Sequence, residues 1–311
     1  MSRNFYALFS LTKRGIKLFL KDRAGVFFSL LAPLIVLLLY VLFLADVQLQ
    51  SLRSYLMDLP VSDELAGAFV DGWMLAGAVS VACITVPFSA QSIMIKDKET
   101  GSLADMLVSP VSRRIIQLSY LTAVFVVSSC ICLVVLAVAF VYLAITGWYL
   151  SAADAFALAG LLIFSVLSAS VLSNIICSFI STQGAHGAFT GILSAAIGFL
   201  VGAYMPLSVF PTGVQYGVLI LPGTYSAGAF RNLFMRGALN EISALSMPAG
   251  EGLAEGFSLT LDFFGSPIGL SWQLWLFAAT TLVVAAAAFA VRLMLKKKTY
   301  DFASVGKKKK N

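Results

Sequence analysis

The apolar residues of this chain fall into long runs without charged side chains. No Asp, Glu, Lys or Arg occurs within residues 24–45, 72–95, 115–153, 155–230 and 263–291. A helix that crosses the hydrocarbon layer needs about 20 mostly apolar residues. The run at 155–230 is too long for one helix, and it divides at residues 181–184, where small and polar residues favour a turn. The pattern therefore predicts an all-α polytopic membrane protein with six transmembrane helices.

Composition agrees with this prediction. Hydrophobic residues make up 59% of the chain and charged residues 12%, whereas a soluble domain carries roughly 25% charged residues. The runs are continuously apolar rather than alternating, which favours helices over a β-barrel. The first run lacks a small-residue cleavage site, so we expect a retained helix rather than a signal peptide.

The basic residues predict the orientation. All but three of the 21 Lys and Arg lie within residues 3–23, 96–114 and 292–310. Cytoplasmic flanks of membrane helices carry an excess of Lys and Arg. Six spans place the three clusters on one side, with both termini in the cytoplasm. The whole chain is then one transmembrane domain of residues 1–311, with an interfacial helix at 1–23, a six-helix bundle at 24–295 and a basic cytoplasmic tail at 296–311.

Residues 4–22 have the pattern of an amphipathic helix on the inner membrane surface. Apolar residues from Phe5 to Leu20 share one face, while Lys13, Lys17 and Lys21 recur on another. A spanning helix would bury these charges at a considerable energetic cost. The lysine-rich tail is expected to contact anionic membrane lipid rather than nucleic acid.

The inner segment at 96–114 predicts a short helix between two spans. Gly101 can end a helical turn in the left-handed conformation, and Ser102 can cap a new helix with Asp105 as its capping-box partner. Pro110 ends that helix, and Ser112 can cap the third span. The short helix that begins at Ser102 has an apolar stripe, which consists of Leu103, Met106 and Leu107. The stripe could contact a partner or pack on its own bundle, and the pattern alone leaves both open.

Small residues recur in the fifth predicted span, at residues 187–204. Two Gly-x-x-x-Gly spacings occur there, formed by Gly187 and Gly191 and by Gly198 and Gly202. Such spacings let two helix backbones approach closely. This helix is the best sequence candidate for a dimer seam, with packing inside one chain as the equal alternative.

The stretch after the fifth span predicts an outer re-entrant helical hairpin. It is uncharged up to Arg231 and is broken by prolines. Non-helical backbone at membrane depth is tolerated where protein or water surrounds it. An ordinary outer loop is the alternative. Residues 240–262, which contain three glutamates, are expected to form an exposed loop.

The chain carries no recognisable catalytic or ATP-binding motif. No Gly-x-x-x-x-Gly-Lys-Ser/Thr sequence occurs, and no catalytic residues can be assigned. The four cysteines lack metal-ligand spacing, so no metal site is predicted, and the single histidine, His186, is expected to be structural. No predicted span holds a carboxylate or lysine that could couple ion flow to transport. The energy for any transport is therefore expected from elsewhere.

Two stretches resemble the ABC type-2 permeases, the membrane subunits of bacterial exporters for drugs, polysaccharides, ions and lipids. They are residues 98–103 with Ser109 and Pro110, and the outer stretch from Met205 to Arg231. The resemblance implies a coupling helix at 99–108 that docks on an ATPase, with Glu99, Thr100, Gly101, Leu103, Met106 and Leu107 as its contact residues. It also implies an outer gate at 206–235, with Pro206, Phe210, Pro211, Pro222 and Tyr225.

The same resemblance implies the partners and the place of the protein. The chain itself would bind no cofactor, because ATP and Mg would be held by a separate ABC ATPase subunit. A second permease copy, identical or a paralogue, would complete the transporter in the bacterial inner membrane. A stand-alone channel or secondary transporter is the main alternative, and a membrane-embedded enzyme or scaffold is a third. The sequence does not identify the cargo.

Overall fold

The computed structural model describes residues 3–40, 45–56 and 59–308, with most side chains described as far as residue 290. Over these residues the protein is mostly helical. The helices are α1 (Arg3–Lys21), α2 (Arg23–Ser29), α3 (Leu31–Leu39), α4 (Ala45–Leu56), α5 (Asp63–Ala90), α6 (Ser92–Glu99), α7 (Ser102–Val108), α8 (Arg113–Thr146), α9 (Ala152–Cys177), α10 (Gln183–Leu200), α11 (Thr212–Val218), α12 (Pro222–Leu245), α13 (Met247–Gly256) and α14 (Leu270–Lys308). A 3-10 turn at Leu207–Val209 precedes α11, and an antiparallel hairpin of β1 (Leu261–Phe263) and β2 (Ser266–Ile268) precedes α14.

Among the described residues, four helical stretches are long and apolar enough to cross a membrane. They are Asp63–Glu99, Arg113–Thr146, Ala152–Cys177 and Leu270–Ala290. These correspond to the second, third, fourth and sixth predicted spans. The all-α polytopic class is thereby confirmed, apart from the small β-hairpin, and the chain is a membrane-embedded protein.

The first and fifth predicted spans are shorter in the structure. The first run is divided into α2, with 7 residues, and α3, with 9 residues. Pro33 lies in the first turn of α3, where its missing N–H removes no helical hydrogen bond. Residues 41–44, which end this run, lie outside the described residues. Helix α10 has 18 residues and opens with Gln183 and His186, which lower its mean hydropathy. The count of six spans stays a prediction.

Helix α5 is the centre of the fold. Its first turn is capped by Ser62, whose Oγ accepts a hydrogen bond from the Leu65 amide at 3.2 Å. Helices α8, α9 and α12 pack around it. In the most apolar 18-residue stretch of Asp63–Glu99, 89% is buried inside the protein. Pro87 lies in the last turn of α5, and a short break at Gln91 separates this helix from α6.

Helix α1 packs on α8 as well as presenting an apolar surface. Gly15 allows the two helices to approach, since a Cβ atom there would lie 2.8 Å from the Cβ of Ala123. Phe19 is buried, whereas Phe5 and Phe9 remain exposed. Part of the predicted apolar face therefore contacts the bundle, and its place at the membrane surface stays a prediction.

The region predicted as an exposed loop contains regular structure. Residues 240–262 contain the end of α12, α13 and part of β1. The expectation of an exposed loop at 240–262 is wrong, because Leu253, Phe257 and Leu259 are buried in the main apolar cluster.

Candidate functional site

The inner segment forms two short helices joined by a tight turn. Gly101 has the predicted left-handed conformation, with φ of 81°. The predicted capping box is wrong, because Gly101 itself is the N-cap of α7 and no side chain caps that helix. Ser102 is already the first helical residue, and its Oγ lies 3.0 Å from the Oγ1 of Thr100. The predicted cap at Ser112 is confirmed, with its Oγ accepting from the Ile115 amide.

The apolar residues of the stripe predicted on α7 do not all face the same way. Leu103 and Met106 are half-buried and pack on an apolar cluster formed by α1, α6 and α8. Leu107 is 38% exposed and its neighbour Val108 is 88% exposed. The exposed surface of α7 consists of Ala104, Asp105, Leu107 and Val108. We call it the docking face after its predicted role, which stays a prediction. Sequence reasoning missed Val108, since a helical stripe does not reveal which side faces the bundle.

Helix α6 is tied to α1 and α8 through one carboxylate. The Asp97 carboxylate accepts two hydrogen bonds from the Arg14 guanidinium, at 2.6 and 2.8 Å. It also accepts one from the Tyr120 hydroxyl at 2.6 Å. The bond with Asp97 raises the pKa of Arg14 above its usual value, so the pair stays charged. This network joins three helices just before α7 begins.

The next two residues join α6 to the turn between α9 and α10. The ammonium of Lys98 donates to the carbonyls of Cys177, Ser178 and Ile180, at 3.2, 2.9 and 2.9 Å. These carbonyls lie at and just after the end of α9, where the helix dipole favours a cation. The Cys177 carbonyl also accepts from the Ile180 amide at 3.1 Å. Glu99 accepts from the Gln183 amide at 3.1 Å, at the positive end of α10. Glu99 was predicted to contact an ATPase, but its Oε2 accepts a hydrogen bond from within this chain.

The predicted gate residues lie in one substructure, which consists of the 3-10 turn, α11 and the start of α12. Pro206 precedes the 3-10 turn and is buried, Phe210 is half-buried, and Pro211 is exposed before α11. Pro222 is the first residue of α12, a position that needs no amide hydrogen. Tyr225 is 1% exposed, inside the main apolar cluster. The five residues therefore differ in solvent exposure, and their role as a gate stays a prediction.

A fully buried arginine lies beneath this substructure. Arg231 of α12 donates from Nη2 to the carbonyl of Val201 at 2.6 Å, and its guanidinium lies 5.8 Å from the ring centroid of Trp73. Its Nε and Nη1 have no hydrogen-bond partner in the described part of the chain. Burial lowers the pKa of Arg231 to about 10, so it remains protonated near neutral pH. The sequence had assigned Arg231 to the outer side without indicating this burial.

The segment of residues 256–259 connects the outer elements. The hydroxyl of Ser208, in the 3-10 turn, donates to the carbonyl of Gly256 at 2.6 Å. The amide of Ser208 donates to Oγ of Ser258, which has a positive φ of 57°. Trp73 of α5, Asn232 of α12 and Gln273 of α14 donate side-chain hydrogen bonds to carbonyls of the same segment. The segment therefore fixes the position of the 3-10 turn.

The two glycine pairs predicted as a dimer seam have different surroundings. A Cβ atom at Gly187 or Gly191 would meet nothing within 4 Å. At Gly198 it would lie 2.3 Å from the Tyr204 ring, and at Gly202 it would lie 2.9 Å from Nη2 of Arg231. Gly198 and Gly202 thus serve packing within this chain, and Gly202 also adopts a positive φ of 74°.

A cavity of about 640 Å³ lies beside the open glycine pair, between α3, α10 and the end of α5. Gly187, Gly191 and Thr190 line it on α10, and Leu31 and Ile35 line it on α3. His186 lies at its inner part, with its Nε2 3.0 Å from the carbonyl of Phe88, near the break after α5. A carbonyl can only accept, so Nε2 carries the proton. This contact agrees with a structural role for His186.

The geometry and composition define a helical membrane protein in which the short helix α7 is attached to the bundle through α6. Comparison with protein families matches residues 6–235 to the ABC-2 type transporter family. The chain belongs to this family, and it is a membrane component of an ABC transporter rather than a catalytic subunit. The comparisons with curated proteins and with solved structures gave no match.

Proposed function

We propose that the chain is the permease of a bacterial ABC exporter, with six spans and both termini in the cytoplasm of the inner membrane. The cargo would be a drug, lipid, polysaccharide or ion. The three basic clusters support this orientation, because six spans place them on the same side. In this proposal, α2 and α3 together would form the first span and α10 would form the fifth, in addition to the four long helices.

The observation that carries this proposal is the attachment of α6 and α7. The docking face of α7 is open, whereas Asp97, Lys98 and Glu99 bond to α1, α8 and the turn between α9 and α10. A force on α7 would therefore reach these elements together. A separate ABC ATPase would bind ATP and Mg and apply this force, while the permease would bind neither.

A second permease copy would pair along α10, either identical or a paralogue. Gly187 and Gly191 support this arrangement, because their open surfaces leave room for another helix backbone. Pairing there would enclose the 640 Å³ cavity between two subunits and provide a route to the outer hairpin. The hairpin of residues 206–235 would act as the gate.

Co-purification tests the docking face. Leu107→Asp and Val108→Asp place charges on exposed positions of α7 and should abolish binding of the cognate ATPase. Val209→Asp is the matched control, because Val209 is a 65% exposed residue of the outer 3-10 turn. ATPase retention by both α7 variants, or its equal loss with Val209→Asp, contradicts the proposal.

One observation favours a secondary carrier as a second candidate function. No carboxylate was predicted within a span, but Asp71 lies within α5, and its Oδ1 accepts from the hydroxyl of Tyr40 at 3.0 Å. The hydroxyl of Tyr142 lies 3.4 Å away. A carboxylate inside a span is a common ion-coupling group. Proton uptake by liposomes containing the chain alone, lost in Asp71→Asn, would favour the carrier over the exporter.

A further inference from the structure

The cavity of about 640 Å³ beside α10 has the size of a small-molecule site. Such sites measure about 300–1,000 Å³ and are lined mainly by apolar side chains with a few polar groups. Leu31, Ile35 and Leu39 of α3 contribute aliphatic surface to this cavity. Phe199 and Tyr204 contribute an aromatic pair whose ring centroids lie 4.7 Å apart. The cavity can therefore hold an apolar organic molecule, whereas most hydroxyls of a sugar would lack partners on this surface.

The lining is also close to neutral in charge. Among the described residues that line the cavity, Asp22 is the one that carries a charge. Its Oδ1 accepts a hydrogen bond from the Gly25 amide at 2.9 Å, and the basic residues Lys21 and Arg23 flank it in the chain. An ion that leaves water needs a strong counter-charge or several polar ligands. One carboxylate that is already balanced does not supply them.

A buried side chain at this cavity has an unused hydrogen-bond acceptor. His186 is 4% exposed and lines the cavity. Its Nε2 donates to the Phe88 carbonyl at 3.0 Å, so Nδ1 of the neutral ring is an acceptor. Nδ1 has no hydrogen-bond partner among the described residues, and it retains accessible surface. Because polar atoms of buried side chains are nearly always hydrogen-bonded, this atom points to a ligand that brings a donor.

Neighbouring side chains on the cavity wall use their donors elsewhere. The hydroxyl of Thr190, one turn further along α10, donates to the His186 carbonyl at 2.9 Å. The side-chain amide of Gln183 donates to the carbonyl of Ser92 at 2.7 Å. Both residues line the same cavity as His186. The acceptor on the His186 ring is therefore left for an occupant of the cavity.

We propose that the cargo is a small organic molecule with an apolar body and a hydroxyl or amine hydrogen, and that Nδ1 of His186 accepts this hydrogen in the cavity. The apolar body would lie against α3 and the aromatic pair of Phe199 and Tyr204. His186 would thus select for a donor on the ligand, while its Nε2 keeps the structural bond to Phe88. That the bound molecule is exported rests on the proposed function, whereas its binding in the cavity does not.

Equilibrium dialysis with two fluorescent probes tests the site without an ATPase. The full chain in nanodiscs is dialysed against 1-hydroxypyrene, which has a donor, or against pyrene, which has none, and binding to empty nanodiscs is subtracted. We expect the unaltered chain to bind 1-hydroxypyrene about tenfold more tightly than pyrene, equivalent to roughly 1.4 kcal/mol. His186→Phe should remove this preference and leave the affinity for pyrene unchanged.

A pair of substitutions on α3 tests whether the probes occupy the cavity. Ile35→Trp places a larger side chain in the cavity and should weaken the binding of both probes about tenfold. Leu34→Trp is the matched control, because Leu34 is 46% exposed, compared with 39% for Ile35, and is not among the lining residues. A melting curve for each variant checks folding.

The outcomes separate this site from its alternatives. Loss of the preference in His186→Phe, with weaker binding in Ile35→Trp but not in Leu34→Trp, supports the proposal. Equal weakening of both probes in His186→Phe would mean that His186 only packs there, and it overturns the donor requirement. Unchanged binding in Ile35→Trp would mean that the probes dissolve in lipid, and it overturns the site.

Other occupants of the cavity would also be recognised. A cavity filled by phospholipid or by a second copy of the chain would show no saturable binding of either probe, which overturns the proposal. Failure of the export function is read separately, from co-purification with the ATPase. The two failures are therefore distinguishable, because no ATPase is present in the dialysis.

Discussion

Arg14 of α1 holds both carboxylate oxygens of Asp97 in α6, with N–O distances of 2.6 and 2.8 Å. The two residues are 83 positions apart in the chain. Two parallel bonds between a guanidinium and a carboxylate fix orientation as well as distance. The N-terminal helix is therefore attached directly to the element that carries α7.

Removing one member of this pair should destabilise the inner face. Asp97→Asn leaves Arg14 and the Tyr120 hydroxyl without their charged acceptor, and we expect a loss of about 1–3 kcal/mol in the free energy of unfolding. Chemical unfolding in detergent micelles measures it, with Arg14→Gln and the double variant completing a cycle. Arg53→Gln and Asp63→Asn supply the control, because that 2.9 Å pair is exposed and is expected to contribute at most about 1 kcal/mol. Equal effects at both pairs would contradict the proposed importance of Asp97.

The turn between α6 and α7 should require glycine at position 101 because of its backbone conformation and not because of close packing. A Cβ atom at Gly101 would meet nothing within 4 Å, but its φ is 81°. Gly101→Ala should cost about 1–2 kcal/mol, since L residues are strained in this region. Gly101→Asn should cost less, because asparagine tolerates the conformation better. Gly160→Ala is the control, as Gly160 has open space and lies within helix α9. Thermal melting measures both variants. A melting temperature lower for Gly160→Ala than for Gly101→Ala would argue against this explanation.

The glycines of the α10 region should separate folding from pairing. Gly198→Ala places a Cβ atom 2.3 Å from the Tyr204 ring, so we expect about 1–3 kcal/mol of destabilisation through overpacking. Gly191→Leu meets open space in one subunit and should leave stability unchanged while weakening dimers. Light scattering measures the dimer, and melting measures stability. Intact dimers in Gly191→Leu would place the pairing surface elsewhere.

Arg231 should be retained for a reason other than stability. Its burial without a carboxylate partner is unfavourable, and replacing such charges by apolar residues of similar volume is often neutral or stabilising by about 1–4 kcal/mol. The bond to Val201 and the contact with Trp73 offset part of this. We therefore expect Arg231→Met to fold with equal or higher stability and to lose transport. A large drop in melting temperature would show that Arg231 is mainly structural.

Local features of the structure were predictable from the sequence. The long uncharged runs predicted the helical membrane class, and Gly101 predicted a left-handed turn that the structure has. Ser112 predicted a cap from its place before an apolar run, and its Oγ accepts from the Ile115 amide. Each of these features is determined by a few neighbouring residues.

Features that depend on tertiary contacts were not predictable in the same way. The stripe on α7 was visible, but the turning of Leu103 and Met106 towards the bundle depends on α1 and α8. The spacing of Gly198 and Gly202 was visible, whereas Tyr204 and Arg231 fill their surroundings. The partners of Lys98 lie about 80 residues away in the chain, beyond the reach of any helical pattern.

The central claim is that motion is imposed on the permease through α7. Double electron–electron resonance tests it on the complex of permease and ATPase, with spin labels at Val209→Cys in a background without the native cysteines. We expect the distance between the labels of two permease copies to change on addition of ATP and Mg, and to stay constant in the Leu107→Asp variant. An unchanged distance in the unaltered complex, or the same change with the ATPase left out, would contradict the account.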